Sequence, residues 1–157
     1  MSEEKTNVMR ILEQRKAEYT PHYYDAAQAA SGVEVAASLA QNPQRVFKTL
    51  VTLAKSKQHY VFMIPVAAEL DLKKAAAAVG EKAVAMLPQK ELLPLTGYVH
   101  GGCSPIGMKK FFRTTIHSSA ADFERIIFSG GKIGFQVETS LDELKKAISF
   151  RLADIVM

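Results

Sequence analysis

The spacing of hydrophobic positions predicts several short amphipathic helices. In the first, Val8, Met9, Ile11 and Leu12 fall on one helical face, and Thr6 precedes them as a cap. Cap residues mark four further helix starts. A capping box at Ser31 and Glu34 begins a helix that breaks at Asn42-Pro43, and Asp71 caps a helix that stops at Gly80. Pro88 opens another helix, and a second capping box at Ser140 and Glu143 opens a last one through Phe150.

Runs of apolar and β-branched residues predict about six or seven short strands. Residues 46–54 and 59–65 flank the polar sequence KSKQ and predict a hairpin. The other strand-like runs are 19–24, 83–86, 111–116, 125–128 and 133–137, the last entered through a tight turn at 129–132. Strands and helices interleave irregularly, which predicts an α/β or α+β fold with a mixed sheet rather than a doubly wound fold.

Composition narrows the class of protein. The chain has 157 residues, of which 48% are hydrophobic and 23% charged, and no linker or repeat divides it, so we expect one domain over 1–157. The N-terminal sequence MSEEKTNVMRILEQRK lacks the apolar segment of a secretory signal, and no window approaches the ~20 apolar residues of a membrane span. With a single cysteine, the expectation is a cytoplasmic protein in a reducing environment. A net charge of +4 is compatible with an RNA partner without requiring one.

The segment 96–110 is the most unusual part of the chain, because four of the nine glycines crowd into it. Gly102 and Gly107 have the separation of a phosphate-binding loop, but Lys109 comes one position late and no Ser or Thr follows it. Two interpretations stay open: a purely structural turn, or a loop whose backbone N–H groups cradle an anion. The GxxG at 131–134 lies between strands, which favours a hairpin turn over an RNA-binding KH loop.

Lys48 is the strongest candidate for chemistry. It stands inside the apolar run VFKTLV, so it is either a lysine on the polar face of a half-exposed strand or a catalytic or anion-binding cation. Cys103 would need a base, and His100 is near only in sequence, so a small loop residue is the simpler interpretation. The histidines show no metal-ligand spacing, and neither metal nor cofactor is expected. The lysine pairs 73/74, 109/110 and 145/146 are solvated faces or part of a basic rim for RNA.

Five segments occur in the order and spacing of a known family. They are KTNVMRILEQ (5–14), VFKTLV (46–51), LDLKKAA (70–76), TGYVHGGCSPIG (96–107) and SGGKIG (129–134). The chain therefore resembles the YbaK/EbsC family, and most of all its Cys-tRNA(Pro) deacylases, which are related to the prolyl-tRNA synthetase editing domain. The resemblance implies a small mixed β-barrel of about six or seven strands with helices around it, forming one editing domain over 1–157.

The resemblance also implies a set of site residues. Catalytic roles fall on Lys48, Gly101 and Gly102. Two positions depart from the family pattern: members can carry an aromatic residue at the position of Ser31, and many have arginine at the position of Ile133. Substrate-binding roles fall on Tyr24, Thr49, Ser104, Pro105, Gly107 and Ser129.

The function that the resemblance implies is removal, in trans, of cysteine from mischarged Cys-tRNA(Pro), and also from Cys-tRNA(Cys). In such enzymes the substrate thiol attacks its own ester, which explains why the chain needs no classical nucleophile, and backbone N–H groups steady the oxyanion. Such an enzyme is an ester hydrolase, or a lyase if its product is a cyclic thiolactone. The implied partners are the acceptor end of aminoacyl-tRNA and, as a candidate, prolyl-tRNA synthetase, but neither a membrane nor DNA. The alternatives are a water-using deacylase of another tRNA, such as Ala-tRNA(Pro), and a non-catalytic module that binds tRNA or a synthetase.

Overall fold

A computed structural model describes residues 4–27 and 29–157 as a mixed α/β fold. The first three residues of the predicted domain therefore lie outside the described residues. The helices in the described part are α1 (Asn7–Gln14), α2 (Gly32–Ser38), α3 (Leu72–Val79), α4 (Leu92–Thr96) and α5 (Leu141–Leu144). The strands there are β1 (Thr20–Tyr23), β2 (Phe47–Ala54), β3 (His59–Pro65), β4 (Val84–Met86), β5 (Thr114–His117), β6 (Ile126–Lys132), β7 (Phe135–Thr139) and β8 (Arg151–Ala153).

The helix caps confirm the local prediction. Thr6 accepts a hydrogen bond from the third residue of α1, and Ser31 with Glu34 forms the complete reciprocal capping box of α2. Asp71 caps α3 through two backbone N–H groups, and Gly80 ends the helix in the left-handed conformation at φ 74°. Each of these signals acts within one helical turn, so the sequence alone is enough to place it.

The strands form two sheets, with the order β1-β7-β6 in one and β4-β2-β3-β5-β8 in the other. Strands β2 and β3 make the predicted antiparallel hairpin, whereas β3–β5 and β5–β8 are parallel, so the predicted mixed sheet is confirmed. A single parallel bridge between Val46 and Ile127 joins the sheets. The predicted barrel is not confirmed, because neither sheet closes on itself within the described residues.

The predicted tight turn at 129–132 is wrong, because these residues belong to β6. The β6–β7 turn consists of Ile133 and Gly134 instead. An irregularity in the β6–β7 register lies between Ser129 and Lys132, and the Ser129 hydroxyl accepts a hydrogen bond from the Gly131 N–H at 3.1 Å. The glycines that signal a turn in the sequence thus serve a β-bulge within a continuing strand.

The predicted C-terminal helix through Phe150 is also wrong, because α5 ends at Leu144. The Glu143 carboxylate accepts a hydrogen bond from the backbone N–H of Glu18 at 2.7 Å rather than closing a capping box. Beyond it lies strand β8, which pairs with β5 and was not predicted. The strand predicted from residue 111 begins only at Thr114.

Apolar packing holds the helices against the sheets. Helix α1 buries Val8, Met9 and Leu12 in a core that also contains Phe47 and Phe128, while α3 packs on a second core. A small third group of side chains lies where the sheets meet: Ala36, Val46, Val66 and Ile127. None of the described helices is long and apolar enough to cross a membrane.

Candidate functional site

A cavity of about 520 Å³ opens beside the junction of the two sheets. Its walls come from the start of β2, from α2 and the segment before it, from the loop 100–103, and from β6 and β7. Beside the cavity, β2 pairs with β3 along one edge, and its other edge has no partner among the described strands. Strand β4 pairs only with residues 52–54, and the bridge to β6 is made at Val46. The cavity therefore occupies the edge of β2 that the described strands leave unpaired.

Lys48 is half-buried and lines this cavity. No carboxylate of the described residues lies within 4.0 Å of its ammonium group, and the lining residues include no Asp or Glu. A positive charge in a concave, partly apolar wall attracts negative charge strongly, because little solvent screens it. The cavity can therefore hold an anionic group or stabilise a developing oxyanion.

Two oxygens in the cavity wall are buried without a partner. They are Thr49 Oγ1 and Gln136 Oε1, whose residues both line the cavity. A buried polar atom without a hydrogen bond costs about 1–3 kcal/mol, so both oxygens are available to accept hydrogen bonds from a ligand. Ser119 Oγ is also buried without a partner but does not line the cavity. Sequence reasoning missed Gln136, because it shares its face of β7 with Glu138, opposite the core residue Val137, and a polar residue on that face is unremarkable in the sequence.

The glycine loop contributes only part of itself to the cavity. Gly101 lines it with φ +90°, a conformation that favours glycine, and its N–H donates to no other described group. The Gly102 N–H instead donates to the Val99 carbonyl at 3.0 Å. Of the two glycines predicted to stabilise an oxyanion, only Gly101 therefore offers an unengaged N–H.

Three other residues of this loop lie away from the main cavity. Ser104 is fully buried, and its hydroxyl accepts a hydrogen bond from the Ile106 N–H at 3.4 Å. Pro105 and Gly107 line a separate cavity of about 200 Å³ against α1. The loop thus separates two cavities, and the structure does not bring these three predicted substrate-binding positions together with Lys48.

Tyr24 and Ser129 do line the main cavity. Tyr24 follows β1, and its N–H donates to the Gly134 carbonyl at 3.0 Å, which fixes it beside the β6–β7 turn. Ser129 is 8% exposed, and its hydroxyl takes part in the bulge described above. Ser31 and Ile133, the two positions that depart from the family pattern, line the cavity as well.

Cys103 and His100 also line the cavity without forming a catalytic pair. Burial raises the pKa of the Cys103 thiol to about 12, so at neutral pH it stays protonated and is a poor nucleophile. His100 is exposed, and no hydrogen bond joins it to the thiol among the described contacts. Within the described residues, no group of three or more His, Cys, Asp or Glu side chains is placed to hold a metal ion.

A family model and a related protein each match most of this chain. The family model described as "Aminoacyl-tRNA editing domain" matches residues 26–147. A protein of Enterococcus faecalis named "Putative Cys-tRNA(Pro)/Cys-tRNA(Cys) deacylase EbsC" is 42% identical over 155 residues, which cover 98% of this chain and 94% of that protein.

Two solved structures share the fold. The crystal structure of "hypothetical protein APE2540" superposes with a TM-score of 0.87 at 22% identity, covering 97% of this chain and 100% of that one. That of "a putative trans-editing enzyme for prolyl tRNA synthetase" has a TM-score of 0.82 at 20% identity, covering 98% and 99%. At these identities the likeness concerns the fold alone.

Proposed function

This chain belongs to the aminoacyl-tRNA editing domain family, and we propose that it removes cysteine from mischarged Cys-tRNA(Pro). The resemblance to YbaK/EbsC proteins predicted from the sequence is confirmed by the 42% identical relative, whose name gives Cys-tRNA(Pro) and Cys-tRNA(Cys) as substrates. One observation carries the proposal: Lys48 lines a cavity whose described lining residues include no carboxylate and whose thiol, Cys103, is held protonated by burial. Such a cavity can bind and polarise an ester but supplies no strong nucleophile of its own.

The unpartnered groups of the cavity match the polar atoms of an aminoacyl ester. Gln136 Oε1 and Thr49 Oγ1 can accept hydrogen bonds from the substrate α-ammonium group, which presents three donors. The Lys48 ammonium and the Gly101 N–H are donors for the ester carbonyl oxygen. Each buried group then gains the partner that it lacks in the free protein.

In the proposed reaction the nucleophile comes from the substrate. The cysteine sulfur attacks the ester carbonyl carbon, a C–S bond forms, and the carbonyl oxygen becomes an oxyanion facing Lys48 and Gly101. When the oxyanion collapses, the C–O bond to the ribose breaks, and the ribose oxygen takes up the proton that the thiol has lost. The products are tRNA and a cyclic thiolactone that water opens to cysteine. The protein holds a near-attack geometry and stabilises charge, which removes about 3–4 kcal/mol of barrier for each well-placed donor.

In this scheme the enzyme selects among aminoacyl esters by the thiol of the substrate. Alanine and proline esters have no thiol and react slowly whichever tRNA carries them. Discrimination between Cys-tRNA(Pro) and Cys-tRNA(Cys) then requires a partner, and prolyl-tRNA synthetase is the candidate, because it binds the tRNA that must be cleared.

The test compares ester loss from Cys-tRNA(Pro) with wild-type protein, Lys48→Ala and Lys55→Ala. Lys55 is an exposed lysine just beyond β2 and does not line the cavity, so it controls for loss of charge. We expect Lys48→Ala to lower kcat/KM about 100-fold or more and Lys55→Ala to leave it unchanged. Equal activity of all three proteins would contradict the placement of the site, and absence of ester loss with wild type would contradict the function.

A substrate series tests the chemistry. Cysteinyl, S-methylcysteinyl, seryl and alanyl esters of the same tRNA differ in the atom that can attack. We expect only the cysteinyl ester to react rapidly and to release a thiolactone detectable by mass spectrometry. Cleavage of the alanyl ester at a comparable rate would replace this mechanism with hydrolysis by water, for which His100 in the cavity wall is the available base.

A further inference from the structure

A tyrosine that does not line the main cavity holds the glycine loop closed. The Tyr98 hydroxyl donates a hydrogen bond to the Ile106 carbonyl at 2.5 Å, and Ile106 is 1% exposed. Within residues 97–108, all of which the structure describes, this is the only side-chain hydrogen bond that joins the two sides of Gly101. The phenol therefore links the segment before Gly101 to the segment after it.

The base of the same loop is tied by the main chain. The Lys109 N–H donates to the Thr96 carbonyl at 3.0 Å, and the Tyr98 N–H donates to the Thr96 hydroxyl at 3.0 Å. The residues between these ties form a compact loop whose ends lie close together. The bond from Tyr98 to Ile106 is the next link from this fixed base towards Gly101.

The Tyr98 ring is itself held by packing. A Cβ atom on Gly131 would stand 3.3 Å from Tyr98 Cε1, and one on Gly107 would stand 2.9 Å from the Tyr98 hydroxyl oxygen. Gly131 belongs to the β6 bulge, which also contains the cavity residue Ser129. Burial raises the pKa of Tyr98 to about 12, so at neutral pH its hydroxyl keeps the proton that it donates.

The position of Gly101 matters because of what its N–H is proposed to do. A donor stabilises an oxyanion only if it is held within about 0.5 Å of the productive geometry. The Gly101 N–H donates to no other described group, so its direction depends on the loop around it. Resting on the proposed function, we propose that Tyr98 is a positioning residue that holds the Gly101 N–H in place for the transition state.

This role differs measurably from a purely structural one. A hydrogen bond that only satisfies the buried Ile106 carbonyl contributes stability and has no particular effect on the reaction. A bond that aims the Gly101 N–H acts on a charge that exists only in the transition state. Its loss therefore lowers kcat and leaves KM unchanged.

The first test measures kcat and KM for release of cysteine from Cys-tRNA(Pro) by wild type, Tyr98→Phe and the control Tyr60→Phe. The Tyr60 hydroxyl donates to Glu81 Oε2 at 2.6 Å, and Tyr60 lines neither cavity, so each variant loses a phenol hydrogen bond. We expect Tyr98→Phe to lower kcat about ten-fold with KM unchanged, which is part of the 100-fold or more that loss of a whole donor costs. Tyr60→Phe should change neither constant, and equal kcat in all three proteins would overturn the proposal.

A double-mutant cycle shows whether Tyr98 acts through Gly101. In the Gly101→Ala background the N–H is already displaced, so we expect Tyr98→Phe to lower kcat no further. A second ten-fold fall in that background would mean that the two residues act independently, which contradicts a positioning role.

Nuclear magnetic resonance follows Gly101 without reference to activity. In wild type and Tyr60→Phe we expect the order parameter of the Gly101 amide to be about 0.85, as in rigid backbone, and in Tyr98→Phe to fall below about 0.6. An unchanged order parameter in Tyr98→Phe would overturn the proposal. If the order is lost in Tyr98→Phe but wild type releases no cysteine, the hold of Tyr98 on Gly101 stands and the proposed deacylase is refuted.

Discussion

Two threonines on strand β2 differ in whether their hydroxyl groups have a hydrogen-bond partner. Thr49 Oγ1 is buried in the cavity wall without a hydrogen-bond partner. Thr52 Oγ1, three residues along the same strand, donates to the Tyr60 carbonyl at 3.0 Å in a fully buried environment. Replacing either threonine with valine keeps the shape and β-branching and removes the hydroxyl, so Thr49→Val and Thr52→Val form a matched pair.

The structure gives the two substitutions opposite effects on stability. Thr49→Val removes an unsatisfied polar atom, and we expect the free energy of unfolding to rise by about 1 kcal/mol. Thr52→Val removes a satisfied hydrogen bond, and we expect a fall of about 1 kcal/mol. For a chain of this size, these changes shift Tm by about 2–4 °C upwards and downwards respectively.

Only one of the two substitutions should change activity. If the Thr49 hydroxyl accepts a hydrogen bond from the substrate ammonium, Thr49→Val raises KM for Cys-tRNA(Pro) about 5- to 10-fold, which corresponds to roughly 1 kcal/mol of binding energy. Thr52→Val should leave KM unchanged, because its side chain does not line the cavity.

Thermal denaturation and steady-state deacylation of the two variants and wild type test this reasoning. A fall in Tm for Thr49→Val, or the same change in KM for both variants, would show that the free hydroxyl of Thr49 is not reserved for a ligand.

Two further substitutions test the cavity. Cys103→Ala should retain wild-type kcat, because the thiol is buried and protonated at neutral pH; loss of activity with Tm unchanged would identify Cys103 as the nucleophile. Burial raises the pKa of this thiol to about 12 from an ordinary value near 9.0. The unfolded chain therefore loses the thiol proton at lower pH than the folded protein, so the free energy of unfolding falls as pH rises between these two values. Urea titrations should show that Cys103→Ala loses less of its free energy of unfolding than wild type over this range. Gly101→Ala and Gly80→Ala both place a side chain at positive φ, +90° and +74°, and should each cost about 1–2 kcal/mol of stability. Only Gly101→Ala should also lower kcat, because it displaces an N–H in the cavity; an equal effect of both variants on kcat would refute the oxyanion role.

Part of the candidate site was accessible from the sequence because its signals are local or belong to the family. Lys48 is conspicuous as a charge inside an apolar strand, and the structure places it in the cavity wall with Tyr24, Thr49, Gly101 and Ser129. Their roles remain predictions. The division of the glycine loop between two cavities was not accessible, since it depends on which distant residues pack against each part of the loop: Gly102 adjoins Ile133, and Gly107 adjoins Ile11 of α1.

The sequence by itself determined the elements whose ends are set by neighbouring residues. The cap at Thr6 and the stop at Gly80 are decided by hydrogen bonds within one turn, and the β2–β3 hairpin by apolar runs on either side of a short polar turn. Only the tertiary structure decided where the glycines of 129–134 would bend the chain, because a bulge depends on the partner strand that it opposes.

Longer-range contacts decided the rest. Strand β8 exists because β5 offers it an edge. The Glu143 carboxylate does not complete a capping box, because it binds a backbone group 125 residues away in the sequence. Gln136 gains its importance in the same way, since its side-chain oxygen is unpartnered only in the environment that β2, β6 and α2 create around it. Periodicity specifies which face of a strand is inward, whereas the fold determines what that face meets.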